Sequence, residues 1–123
     1  MFNRDKNAAR VDTLIGRSSR IQGDVEFSGG LHIDGQVTGN VRVVPGGDAS
    51  VSVSEHGVIE GSVEAPQVVL NGTVNGDIIA LDRVVLGAKA RVRGNVSYGV
   101  IEMALGAEIT GSLIPVAAVA QTG

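Results

Sequence analysis

The chain has no cysteine and no tryptophan, a single tyrosine, two phenylalanines and three prolines among 123 residues. Without cysteine there is no disulfide, no thiolate metal ligand and no thiol nucleophile. With so few aromatics the core must be aliphatic. No apolar run reaches the roughly 18 residues that a membrane-spanning helix needs. The N-terminus also lacks the central apolar stretch of a signal peptide, so the chain is expected to stay in the cytoplasm. The phosphate-binding pattern Gly-x-x-x-x-Gly-Lys-[Ser/Thr] is missing, which argues against nucleotide.

Glycine is abundant, with 18 copies, and valine plus isoleucine total 29. Glycine does not fall at every third position and proline is scarce, which excludes collagen. β-Branched residues punctuated by glycine point to strands and turns. The formal net charge of −3 is unevenly spread. Residues 1–20 carry Arg4, Lys6, Arg10, Arg17 and Arg20 against Asp5 and Asp12, a net of +3, which leaves −6 on the remainder. A basic arm on an acidic body suggests that the arm meets an anionic surface. No basic face is dense enough to imply nucleic acid. Residues 1–13 read as a disordered arm, 14–115 as the folded body and 116–123 as a short flexible tail.

The body repeats. An aliphatic residue, any residue, Gly, then Asp, Asn or Ser, then an aliphatic residue recurs six times. The glycines are Gly23, Gly39, Gly61, Gly76, Gly94 and Gly111, in steps of 16, 22, 15, 18 and 17. The longest step contains Pro45-Gly46-Gly47-Asp48, a turn or loop insertion. Four residues before five of these glycines stands a small residue (Gly35, Gly57, Gly72, Ala90, Ala107). The last aliphatic residue falls six positions before the glycine in some copies (Ile33, Leu70, Leu105) and eight before in others (Val53, Leu86). That difference reads as variation in turn length.

Alternation within each repeat has period two, so the segments are strands. A repeat of about 17 residues has room for three short strands and tight corners, the content of one β-solenoid coil. Val25, Leu31, Val37 and Val43 step by six, as do Val68, Val74, Ala80, Leu86 and Val92, one inward residue for each of three sides. The expected fold is all-β, a three-sided parallel β-helix of about six coils. At the usual strand spacing, six coils make a rod on the order of 29 Å long. The polar residue after each glycine is expected to bond local backbone. No amphipathic helix caps either end, so the expected consequence is end-to-end stacking. The candidate end residues are Leu14, Ile15, Ile21 and Phe27 at one end, and Ile109, Leu113 and Ile114 at the other.

The block Thr13-Leu14-Ile15-Gly16, Ile21-Gln22-Gly23-Asp24-Val25 and Gly30-Leu31-His32-Ile33-Asp34-Gly35-Gln36-Val37-Thr38-Gly39-Asn40-Val41 resembles the opening of a bactofilin. Residues 87–96 are similar to that family's inner repeats, and the likeness covers roughly residues 13–115. It implies a bacterial cytoskeletal protein with a right-handed three-sided β-helix, polymerising without nucleotide or other cofactor through its β-helix ends. Its partners would be other copies of itself, the inner face of the cytoplasmic membrane, and peptidoglycan-modifying enzymes such as hydrolases. The implied location is cytoplasmic, peripheral to the inner membrane. Met1, Phe2, Arg4 and Lys6 loosely match the membrane-targeting start of some members.

His32 and His56 alternate with apolar neighbours and lack metal-ligand companions, so both read as outward surface residues. Lys89, Arg91 and Arg93 read first as a solvated strand face. A hexapeptide-repeat acyltransferase, whose β-helix is left-handed, shares the six-residue period. It would need a positioned His base and tends to carry a C-terminal helical region, and neither is evident, so the chain reads as a non-enzyme. An antifreeze- or adhesin-like solenoid would show flat Thr-rich faces, which are absent.

Overall fold

A computed structural model describes residues 13–44 and 49–116. The arm with Met1, Phe2, Arg4 and Lys6, the Pro45–Asp48 insertion and most of the tail lie outside the described residues. The first coil comprises β1 (Thr13–Ile15), β2 (Arg20–Gln22) and β3 (Val25–Phe27). The second comprises β4 (Gly29–Ile33), β5 (Gln36–Thr38) and β6 (Val41–Val43), and the third β7 (Ala49–Val53), β8 (Val58–Glu60) and β9 (Val63–Glu64). The fourth holds β10 (Gln67–Leu70), β11 (Thr73–Asn75) and the first half of β12 (Ile78–Leu86). The rest of β12, then β13 (Arg91–Arg93) and the first half of β14 (Val96–Met103) make the fifth. The sixth ends the described body with the rest of β14, β15 (Glu108–Thr110) and β16 (Leu113–Pro115).

Every pairing is parallel and joins a strand to its counterpart one coil away. β1, β4, β7, β10, β12 and β14 form one ladder. A second runs β2, β5, β8, β11, β13, β15, and a third β3, β6, β9, β12, β14, β16. β12 and β14 each serve two ladders, which fuses the first and third into one sheet while the second stays separate. The molecule is thus an all-β parallel solenoid of about six turns. Thr13, assigned to the arm from sequence, already pairs with Leu31 and so belongs to the first coil.

The six-residue period marks the core. Val68, Val74, Ala80, Leu86 and Val92 are all at most 1% exposed, and each stacks in register on its counterpart in the next coil. Among the described residues no buried side chain is polar. Like aliphatic side chains stacked on a pleated surface fill a narrow interior that indoles would not fit.

The motif glycine is fixed by what lies beneath it. At Gly61, φ is +154°. A Cβ there would overlap the carbonyl oxygen of Gly39, one coil below. Gly39, Gly76, Gly94 and Gly111 stack in the same way, each over the glycine of the preceding coil. Gly23, on the first coil, has nothing within 4 Å of that position, and only its φ of +121° requires glycine.

The residue after the glycine corrects the expectation of a local turn bond. In four of the six copies its side chain reaches the next coil instead. Asp24 Oδ1 accepts from the Asn40 N–H at 2.9 Å, and Asn40 Oδ1 from the Ser62 N–H at 3.0 Å. Asp77 Oδ1 accepts from Asn95 N–H at 2.9 Å, and Asn95 Oδ1 from Ser112 N–H at 3.0 Å. The corner between the first and second ladders varies in length. It has four residues in the first, third, fifth and sixth coils (16–19, 54–57, 87–90, 104–107) and two in the second and fourth (34–35, 71–72). The longer corners close with β-turn bonds such as Ser19 N–H to Gly16 C=O at 2.9 Å. Leu105, the aliphatic residue six positions before Gly111, stands on such a turn and is 96% exposed. Met103, paired with Leu86, takes the inward place.

Gly61→Ala is expected to lower the thermal unfolding midpoint well beyond Gly23→Ala. The first adds a steric overlap to an unfavourable φ, and the second has only the φ. Equal shifts by circular dichroism would contradict the stacking account.

Candidate functional site: the two terminal coils

The candidate end residues from sequence all fall on the two terminal coils: Leu14 and Ile15 on β1, Ile21 on β2, Phe27 on β3, Ile109 on β15, and Leu113 and Ile114 on β16. Their environments differ. Ile15 at 4% and Phe27 at 6% exposure are already part of the core, whereas Leu14 points outward beside His32 at 60%. Ile21 is half-buried against the core.

The last coil is more open. Its inward positions are Ile101, Met103, Ile109 and Leu113, each directly above a fifth-coil residue (Val84, Leu86, Val92, Val96) that is at most 1% exposed. Leu113 is 43% and Met103 46% exposed, while Ile101 and Ile109 are only partly buried. The same positions that are sealed in the coil below are therefore open to solvent above. Ile101 and Met103 are not among the candidate end residues read from the sequence. The rule that could have found them is simple: the last copy of every inward column has no neighbour above it.

The edges match this pattern. Among the described residues β1, β2 and β3 pair only upward, and the second half of β14 with β15 and β16 only downward. Such edges leave backbone donors and acceptors able to continue a parallel ladder. Pro115 sits on the last strand, where proline contributes no N–H.

Side-chain ion pairs run between coils. Arg42 meets Asp24 at 3.4 Å and Glu26 at 3.9 Å, Arg91 meets Glu108 at 3.6 Å, and Arg83 pairs with Glu102. These are exposed and individually weak. Arg91 is thus paired, whereas Arg93 has no ion pair among the described residues.

His32 has one companion from the next coil and one from its own strand end. Coil pairing sets Ser52 beside it, with Oγ at 3.2 Å from Nδ1, and Asp34 Oδ1 lies 4.0 Å from Nε2. The order resembles a nucleophile, base and orienting acid. However, 4.0 Å is too long for the orienting hydrogen bond, and Asp34 Oδ1 is engaged by the Ser54 hydroxyl. His56 is exposed, and no grouping of three potential metal ligands occurs among the described residues. Nor is any helix among them long and apolar enough to cross a membrane.

The described residues thus form a parallel solenoid with an aliphatic interior and edge strands, paired on one side only, on its first and last coils. A family model described as bactofilin, polymer-forming cytoskeletal, matches residues 13–114. The chain is also similar to Bactofilin BacO of Myxococcus xanthus (strain DK1622), with 33% identity over 103 residues, covering 84% of this chain and 79% of that protein. The chain belongs to the bactofilin family of polymer-forming cytoskeletal proteins. No solved structure matches it.

The unequal burial of the candidate residues gives a stability test. Leu113→Arg, at an already exposed position, is expected to shift the unfolding midpoint little. Ile15→Arg places a charge in the sealed first coil and is expected to lower it by several degrees, corresponding to roughly 1–3 kcal/mol. The reverse order, read by thermal melts, would contradict the burial pattern.

Proposed function

We propose that this protein is a non-enzymatic bacterial scaffold that assembles without nucleotide into filaments by end-to-end stacking of a right-handed, three-sided β-helix. The observation that carries the reading is the open last coil, where Met103 and Leu113 are 46% and 43% exposed above fully sealed counterparts. Three ladders of six strands support the three-sided shape. The family supports polymer formation and the scaffold role.

Stacking would bury the apolar cross-section and extend backbone pairing across the junction, two gains that reinforce each other. At about 25 cal/mol per Å² of apolar area, covering the half-exposed aliphatic side chains of the last coil contributes a few kcal/mol to each contact. Arm residues Met1, Phe2, Arg4 and Lys6 would then hold the filament on the inner face of the cytoplasmic membrane. Each arm is weak, with about 1 kcal/mol per basic residue near an anionic surface. A filament presents many arms at once, and that multiplicity makes attachment durable. Held there, the filament would localise cell-wall or cell-shape enzymes, such as a peptidoglycan hydrolase.

Two outcomes are expected. Leu113→Arg abolishes filaments in electron micrographs of protein in nucleotide-free buffer while β-type circular dichroism persists, and intact filaments would remove the last coil from the interface. Deleting residues 2–10 leaves filaments intact but releases them from anionic liposomes, and unchanged co-sedimentation would sink the arm's membrane role.

A further inference from the structure

We propose that the recess on the corner between the first and second ladders, at the level of the second coil, binds a phosphate-bearing anion. This reading does not rest on polymerisation. The recess is a consequence of corner length. The two-residue corner 34–35 lies between the four-residue corners 16–19 and 54–57, which project above and below it. The resulting notch has a volume of about 350 Å³ and is lined by Arg17, Ser18, Ser19, Arg20, Gln36 and His56.

The same architecture occurs once more, which provides an internal comparison. The two-residue corner 71–72 lies between the projecting corners 54–57 and 87–90. There the gap is spanned from one projecting turn to the other by Lys89 and Glu55, 4.0 Å apart. In the first notch nothing of that kind closes the gap. Arg17 and Arg20 have no ion pair among the described residues. The carboxylates on the two neighbouring corners are engaged elsewhere: Asp34 accepts from the Ser54 hydroxyl, and Glu55 faces Lys89. Among the described residues, then, two guanidinium groups have no ion-pair partner on a body whose charge beyond residue 20 is −6.

Guanidinium forks match the geometry of phosphate oxygens and bind them through paired charge-assisted hydrogen bonds. The Ser18 and Ser19 hydroxyls, the Gln36 carboxamide and the His56 ring add further hydrogen-bonding groups around the same space. A tetrahedral anion accepts from several directions at once, which suits donors arranged around a notch better than a planar carboxylate does. The phosphate can come from a phospholipid headgroup or from a free phosphate compound.

The test uses the full chain, with Arg17→Gln/Arg20→Gln as the variant and Arg93→Gln as a control that removes an unpaired cation elsewhere. Inorganic pyrophosphate is titrated by calorimetry, and flotation is measured with vesicles of phosphatidylglycerol in phosphatidylcholine. The expected result is that the double variant weakens binding by at least roughly tenfold while Arg93→Gln changes it far less. Loss in both assays assigns a lipid headgroup, and loss with pyrophosphate alone assigns a free phosphate compound. Wild-type binding by the double variant in both assays, or equal losses in the control, would overturn the proposal. Filaments counted by electron microscopy in the same samples report separately on the scaffold reading.

Discussion

Everything in this structure depends on one coil lying in register on the next. Each strand meets its own counterpart one turn later, so a residue is packed against the residue that occupies its place in the neighbouring coil. That constraint selects valine, isoleucine and leucine inside, because like side chains stack without voids on a pleated surface. It also selects glycine at the repeated corner, where the backbone of one coil runs too close to the carbonyl of the coil below to admit a Cβ. Among the described residues the interior has no buried polar side chain, so its cohesion is aliphatic burial plus backbone pairing from coil to coil.

The same constraint makes the ends unlike the middle. A coil is satisfied only when covered on both sides, and the last described coil is covered on one. Its inward residues repeat the chemistry of the coils beneath them but remain open to solvent. The proposed end-to-end stacking would finish that stack, and the chain's family is polymer-forming. The first coil is more nearly closed, since Ile15 and Phe27 are already buried. The two ends therefore offer different surfaces, with Leu14 as the exposed apolar group at one and Met103 and Leu113 at the other.

Much of this was legible in the sequence. The six-residue steps located the core residues Val68, Val74, Ala80, Leu86 and Val92, and the glycine motif located one corner of every coil. What was not legible needed the third dimension. The Asp, Asn and Ser after the glycine looked like local turn formers, and only stacking shows Asn40 and Asn95 reaching the backbone about a coil away. Leu105 matched the spacing of an inward residue, because a four-residue and a two-residue corner differ by one alternation period and leave the pattern ambiguous. Ser52 comes beside His32 through pairing between residues 20 apart, a distance that no local motif reports. The recess near Arg17 likewise arises from the unequal corners of neighbouring coils, which are separated along the chain and adjacent in space.

The central claim is that the filament is a continuation of the solenoid itself. Diffraction from aligned filaments tests it most directly, because strands stacked along the rod place their separation along the filament axis. The account predicts a strong meridional reflection near 4.8 Å. An equatorial reflection at that spacing would mean that the rods lie across the filament and associate through their sides, which would contradict the account.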